Sequence, residues 1–199
     1  MTKVWGPMGW MFLHSISVAY PDVPTPEEKI LLNETMNAFA STITCAHCRQ
    51  HFGTIFGGYK KSVPSWSNSK QNLFLAICRL HNTVNKKLDK PIPKTVVECI
   101  TSLKTATTYT SQSEFRKKYI EYLWKDWNNY GRGTSYQAIA FSGIKVMQKI
   151  NNEYWNLKEV SYSDLILPEG DVLVYPNQPK STKIVFPKMK LRNVIWAPR

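Results

Sequence analysis

The residues best suited to chemistry are four cysteines, Cys45, Cys48, Cys78 and Cys99, with histidines, amides and lysines spaced around them. The stretch "TCAHCRQH" places Cys45 and Cys48 with two residues between them, and His51 one helical turn beyond. Further on, "CRLHNTVNKKLDK" carries Cys78, His81, Asn82, Val84, Asn85, Lys86 and Lys90. Two chemistries suit such a set. Cys45-x2-Cys48 with Cys78-x2-His81 offers four ligands to a tetrahedral zinc ion. Together with a net charge of +12, that describes a zinc-stabilised nucleic-acid-binding module. Zinc sites of this kind are usually built on hairpins and turns, however, and Cys78 and His81 sit inside a long helical period.

The alternative is redox. A Cys-x-x-Cys at a helix start faces unpaired backbone N–H groups and the positive end of the helix dipole, both of which favour thiolate over thiol. Cysteines so placed can have pKa values lowered to about 3.5–7.5. Thioredoxins use the same pair on a βαβ scaffold, which an all-helical segment lacks. A redox pair on another scaffold needs an electron acceptor nearby. His81 and Asn85 share one helix face, and Lys86 and Lys90 follow on an adjacent one. Imidazole, amides and ammonium groups at this density suit a dinucleotide, with stacking for an adenine and charge for a pyrophosphate.

The elements that must position these residues read as helices. Trp5, Met8, Phe12, Ile16 and Ala19 recur at helical spacing from Trp5 to Tyr20. "YPDVPTPEE" stops that helix and starts the next, with Thr25 as N-cap, Pro26 at the first helical position and Glu28 completing a capping box. A third helix begins near Cys45 and runs toward a break at Gly57-Gly58. A fourth spans about Asn68 to Leu88 on Leu73, Ile77, Leu80, Val84 and Leu88. A short fifth, around Thr95–Leu103, carries Cys99. Such a set with short loops predicts an all-α helix bundle.

With those elements in place, "WGPMGWMFLHSISVAYPDVPTPEE", "CAHC" and "CRLHNTVNKKLDK" together resemble the Erv/ALR family of FAD-linked sulfhydryl oxidases over about residues 1–103. The resemblance implies a four-helix bundle with a short fifth helix that cradles FAD, forms a homodimer, and converts two thiols and oxygen into a disulfide and hydrogen peroxide. By position it implies that Cys45 is attacked by the incoming thiolate and that Cys48 passes electrons to the flavin. Trp10 and His14, with a Gly6-Pro7 turn before them, would line the flavin, with Tyr20 and His51 as further candidates. Cys78, His81, Asn82, Val84, Asn85, Lys86 and Lys90 would surround adenine, ribose and phosphates. It also implies a structural disulfide between Cys78 and Cys99, whose loop of about 20 residues would add about 3 kcal/mol. The shuttle cysteine pair that many relatives carry in a flexible tail has no counterpart here. The substrate is then either a thiol protein received directly at Cys45–Cys48 or a thioredoxin-like carrier.

Beyond residue 103 the composition shifts. Residues 104–113, "KTATTYTSQS", read as a linker. Ser111 and Glu114 offer a second capping box before an aromatic-rich helix carrying Tyr119, Tyr122, Trp124, Trp127 and Tyr130. A further helical segment spans Tyr136 to Trp155, and the last forty or so residues read as short strands or an extended arm. The expectation for 114–199 is a mainly helical extension with a docking or dimer-stabilising role. Its lysine- and asparagine-rich character resembles the oxidases of large cytoplasmic DNA viruses, which implies disulfide formation in host cytoplasm or virion. The lysines occur singly or in pairs, so charge alone does not indicate nucleic acid. No apolar run reaches the roughly 18 residues of a membrane span, and the N-terminus has no secretory pattern.

Overall fold

The computed structural model describes residues 2–158, 160–165 and 167, with the backbone alone for 2–4 and 164. Every regular element among them is helical, so the fold is all-α. The strands or arm expected at the C-terminus lie outside the described residues. Seven α-helices follow in order: α1 (Thr2–Ala19), α2 (Pro26–Thr42), α3 (Ala46–Ser62), α4 (Lys70–Lys87), α5 (Val96–Ala106), α6 (Gln112–Asn129) and α7 (Gln137–Glu153). Two 3-10 turns, Trp155–Leu157 and Tyr162–Asp164, close the described chain.

Local chemistry sets most helix starts. Thr25 Oγ1 accepts from the Glu28 N–H at 3.2 Å while the Glu28 carboxylate accepts from the Thr25 N–H at 3.0 Å, a complete capping box. Ser69 and Thr95 cap α4 and α5 by the same side-chain contact. Only half of the second expected box forms: Ser111 accepts from the Glu114 N–H, and the Glu114 carboxylate instead lies 3.7 Å from the Lys118 ammonium.

Two glycine-based expectations are corrected. Helix α1 runs through Gly6 and Pro7, so these residues form no turn before it; a proline this near a helix start forfeits at most one backbone bond. Helix α3 continues through Gly57 and Gly58 to Ser62. Each glycine costs about 1 kcal/mol of helix propensity, which the burial of Phe52, Ile55, Phe56 and Tyr59 along the same helix offsets.

Helix α1 is the hub, packing against α4 and α6, while α2 packs against α7 and α3. Every residue from Phe12 through the end of α1 to Tyr20 is buried. Gly9 admits the Tyr119 ring, which a Cβ would meet at 3.3 Å, so α6 approaches α1 closely there. The aromatic residues of 114–155 divide: Tyr119, Trp127 and Trp155 are buried in one cluster with Phe12, Phe39 and Met36, Tyr122 and Trp124 pack partly buried against it, and Tyr130 is exposed. Trp155 Nε1 donates to Thr35 Oγ1 at 3.3 Å. The buried Arg116 guanidinium donates to Asn151 Oδ1, Asn156 Oδ1 and the Trp155 carbonyl, tying α6 to α7 and the turn after it. Tyr154 donates to Glu28 Oε1 at 2.5 Å, and Lys158 pairs with the same carboxylate at 3.5 Å. A second, smaller cluster joins Phe74, Leu75 and Cys78 of α4 to Val96, Cys99 and Leu103 of α5, with Val18 and Tyr162 against it.

Candidate functional site

A cavity of about 550 Å³ opens among α1, α3, α4 and α5, within the range of small-molecule sites. Helix α1 lends it Gly6, Pro7, Trp10 and His14; α3 lends Cys48 and His51; α4 lends Cys78, His81, Asn82, Val84 and Asn85. Lys90 and Cys99 complete the sequence-expected residues that line it. The helical period accounts for the α4 set, because these positions recur every three or four residues along one face.

Cys45 is the N-cap of α3, and its Sγ accepts the Cys48 N–H at 3.3 Å. The two cysteines form a disulfide with Cα atoms 5.2 Å apart, both half-buried. Of the two, Cys48 lines the cavity and Cys45 does not. Cys78 and Cys99 are buried thiols with sulfurs 2.9 Å apart. Burial first, and then the hydrogen bond with Cys99, pushes the Cys78 thiol well above its usual range.

The His81 ring stacks on Trp10 with centroids 4.3 Å apart and planes 10° from parallel. Its Nδ1 lies 3.2 Å from His14 Nε2. Burial, and then the Lys90 charge, lowers the His81 pKa to about 4, so it is neutral near pH 7. Burial and the neighbouring His81 hold His14 well below its ordinary value, and burial followed by Lys87 and His47 lowers His51. Two buried ring nitrogens on this wall, Trp5 Nε1 and His14 Nδ1, have no hydrogen-bond partner. An apolar cavity with unpaired polar atoms at its edge suits a flat heteroaromatic ligand that carries its own donors and acceptors.

Helix α4 ends in a Schellman motif. Asp89 is left-handed (φ 52°), and the Lys90 and Asp89 N–H groups return to the Asn85 and Lys86 carbonyls at 3.0 and 3.3 Å. The turn brings Lys90, Pro91 and Pro93 to the cavity. Asn82 donates to the Pro93 carbonyl at 3.1 Å and Asn85 to that of Pro91 at 3.4 Å, so both amides brace this loop as well as lining the site.

Two expected residues do not line the cavity. Tyr20 is fully buried at the far end of α1, donating to the Ser67 carbonyl at 3.0 Å. Burial, with a further contribution from Glu28, raises its pKa to about 12. Lys86 falls off the lining face, and Lys87 takes its place. Lining residues the sequence reading missed include Trp5, Met11, Phe39, His47, Phe52, Pro91 and Pro93. His47 sits inside the Cys-x-x-Cys itself, and "KPIP" reads only as a helix stop until the asparagines above it are seen to hold it. The zinc alternative finds no support: among the described residues no three or more His, Cys, Asp or Glu side chains gather as a metal site, and Cys45 and Cys48 are bonded to each other.

This fold and site define a helical module in which one cysteine of a disulfide lines a cavity of about 550 Å³. Residues 7–99, which hold the Cys-x-x-Cys and most of the cavity lining, match the Erv1 / Alr family model. It is 33% identical over 81 residues to the FAD-linked sulfhydryl oxidase ERV1 of Arabidopsis thaliana, covering 41% of this chain and 40% of that protein. Similarity also extends to the probable FAD-linked sulfhydryl oxidase R368 of Acanthamoeba polyphaga mimivirus (28% over 116 residues; 58% of this chain, 80% of that protein). A putative FAD-linked sulfhydryl oxidase, 096R, of Invertebrate iridescent virus 3 is 28% identical over 89 residues, 45% of this chain and 59% of that protein. The chain thus spans well under two thirds of the length of the plant relative.

Proposed function

We propose that this chain is an FAD-dependent thiol oxidase that makes disulfides in thiol substrates. The observation that carries this reading is the placement of Cys48: one sulfur of a helix-start disulfide borders a cavity whose wall holds the Trp10–His81 stack. The residues fit FAD. The stacked rings suit a flat heterocycle, Trp5 Nε1 and His14 Nδ1 offer unpaired partners, and Lys87 and Lys90 supply charge for a pyrophosphate. When bound, FAD supplies a two-electron acceptor for the reduced cysteines and delivers the electrons to oxygen as hydrogen peroxide.

The chain's own steps follow from thiol–disulfide exchange. A substrate thiolate attacks Cys45 Sγ, the Cys45–Cys48 bond breaks, and Cys48 leaves as a thiolate beside the cavity. A second substrate thiolate attacks the substrate sulfur of the mixed disulfide and releases Cys45. Two substrate thiols thereby lose two electrons and two protons, and the Cys45–Cys48 pair gains the electrons. The first turn of α3, with its unpaired N–H groups, favours both thiolates. Neutral His81 and His14 line the wall without adding positive charge beside the stacked ring.

The same proposal includes a Cys78–Cys99 structural disulfide, supported by sulfurs already 2.9 Å apart. It includes a thiol protein or thioredoxin-like carrier as electron donor and a homodimer, which light scattering of the pure protein checks. No helix among the described residues is long and apolar enough to cross a membrane; host cytoplasm or virion as the place of action rests on the two viral relatives. The test is oxygen consumption with dithiothreitol by the purified yellow protein. A colourless protein containing stoichiometric zinc would overturn the reading.

A further inference from the structure

The connection between α2 and α3, residues 43–45, carries Cys45, and it is held from outside the family-matched bundle. Trp127 of α6 donates its Nε1 proton to the Thr42 carbonyl at 2.8 Å, in the core. Arg49, directly after Cys48, donates from Nη1 to the Ile43 carbonyl at 2.6 Å, and its N–H reaches the Cys45 carbonyl at 2.9 Å. Its guanidinium lies over rings of the C-terminal segment, with Cζ 3.8 Å from the Tyr136 ring centroid and 5.9 Å from that of Trp127. The two rings stand 6.0 Å apart, and Gln137 donates to the Trp127 carbonyl at 3.0 Å, which fixes Tyr136 relative to α6. No carboxylate among the described residues pairs with Arg49.

A partly buried guanidinium lying over two aromatic rings keeps its charge and loses its mobility. Here it is anchored on the carbonyl of Ile43, two residues before Cys45, the N-cap of the α3 terminus whose dipole already favours negative charge. We propose that Tyr136 and Trp127 are positioning residues for the Cys45–Cys48 pair, holding the Arg49 charge where it stabilises the thiolate that exchange leaves on Cys45. The C-terminal segment then tunes the redox pair, in addition to packing on the bundle. This rests on Cys45–Cys48 being the exchanging disulfide.

A cation that favours the thiolate makes the disulfide easier to reduce. The test is the equilibrium of the full-length holoprotein with glutathione buffers, read at Cys45 and Cys48 by alkylation and peptide mass spectrometry. Tyr136→Phe, which keeps the ring face, should match the wild type. Tyr136→Ala and Arg49→Gln should each shift the equilibrium about tenfold toward the disulfide, or about 30 mV more negative for a two-electron couple. Arg49→Lys, which keeps the charge but not the guanidinium, should fall between. Arg49 is only half-buried, so its variants report even where Tyr136→Ala fails to fold. Equal equilibria for wild type, Arg49→Gln and Tyr136→Ala would overturn the proposal while leaving the oxidase reading intact. A wild-type pair that never exchanges with glutathione would overturn both.

Discussion

Two cysteine pairs border one cavity, and their surroundings separate their roles. Cys45–Cys48 starts a helix, is half-buried, and has one sulfur toward the cavity and the other outside its lining. Cys78 and Cys99 join α4 to α5 inside the smaller core cluster, where burial raises the Cys78 thiol and disfavours a thiolate. Sequence separation points the same way. The Cys45–Cys48 bond, with a sequence separation of 3, constrains little chain, whereas the proposed Cys78–Cys99 bond, with a separation of 21, would remove considerable unfolded-state entropy. On the roles proposed for them, helix position and burial, more than the cysteine itself, divide the reactive pair from the stabilising one.

The strongest way to break this comparison is to exchange one sulfur in each pair. Cys48→Ser should reduce oxygen consumption with dithiothreitol to background while leaving the melting temperature nearly unchanged. Cys78→Ser should do the opposite, costing about 3 kcal/mol and lowering Tm by roughly 6–12 °C, with activity retained at low temperature. Equal thermal losses in both variants would erase the distinction.

Acid should loosen the wall that the two pairs share. His81 has a folded pKa of about 4 against about 6.5 unfolded. Between those values the unfolded chain binds a proton that the folded chain does not. The stabilisation is therefore complete above about pH 6.5 and is lost as pH falls toward 4. Melting temperatures from pH 8 to 4.5 should decline below 6.5, and His81→Gln should flatten part of that slope. An unchanged slope in the variant would remove His81 from the account. The smallest effect separates neighbouring lysines: Lys90→Ala should weaken FAD retention about fivefold, or about 1 kcal/mol, and Lys86→Ala should leave it unchanged, as equilibrium dialysis would show.

Much of this site was legible because helix caps and period fix which residues share a face. Thr25 and Cys45 set the starts of α2 and α3, and Leu73 through Leu88 set the phase of α4. That phase carries His81, Asn82 and Asn85 into the cavity. The reading slipped by one residue at Lys86 and Lys87, the last two residues of α4 before the Schellman turn, where Lys87 rather than Lys86 reaches the lining. Tyr20 was misplaced for a different reason, since a residue at a helix end can turn either into a site or into the core. The part played by α6 and α7 was hardest to see. Periodicity shows that a helix has an apolar face and says nothing of which neighbour covers it. A signal was present nonetheless: from Val4 to Tyr20 there is not one Asp, Glu, Lys or Arg. A helix without charges needs cover on all sides, and Tyr119 of α6 helps supply it against Gly9 and Phe12.

The central claim is that the cavity beside Cys48 holds FAD in electronic contact with the disulfide. The direct measurement is the visible absorption spectrum of the purified protein before and after anaerobic dithiothreitol, for the wild type and Cys48→Ser. A flavin band in both, bleached in the wild type and persistent in Cys48→Ser, is the expected result. A protein without the flavin band, or a band that bleaches equally in Cys48→Ser, would contradict it.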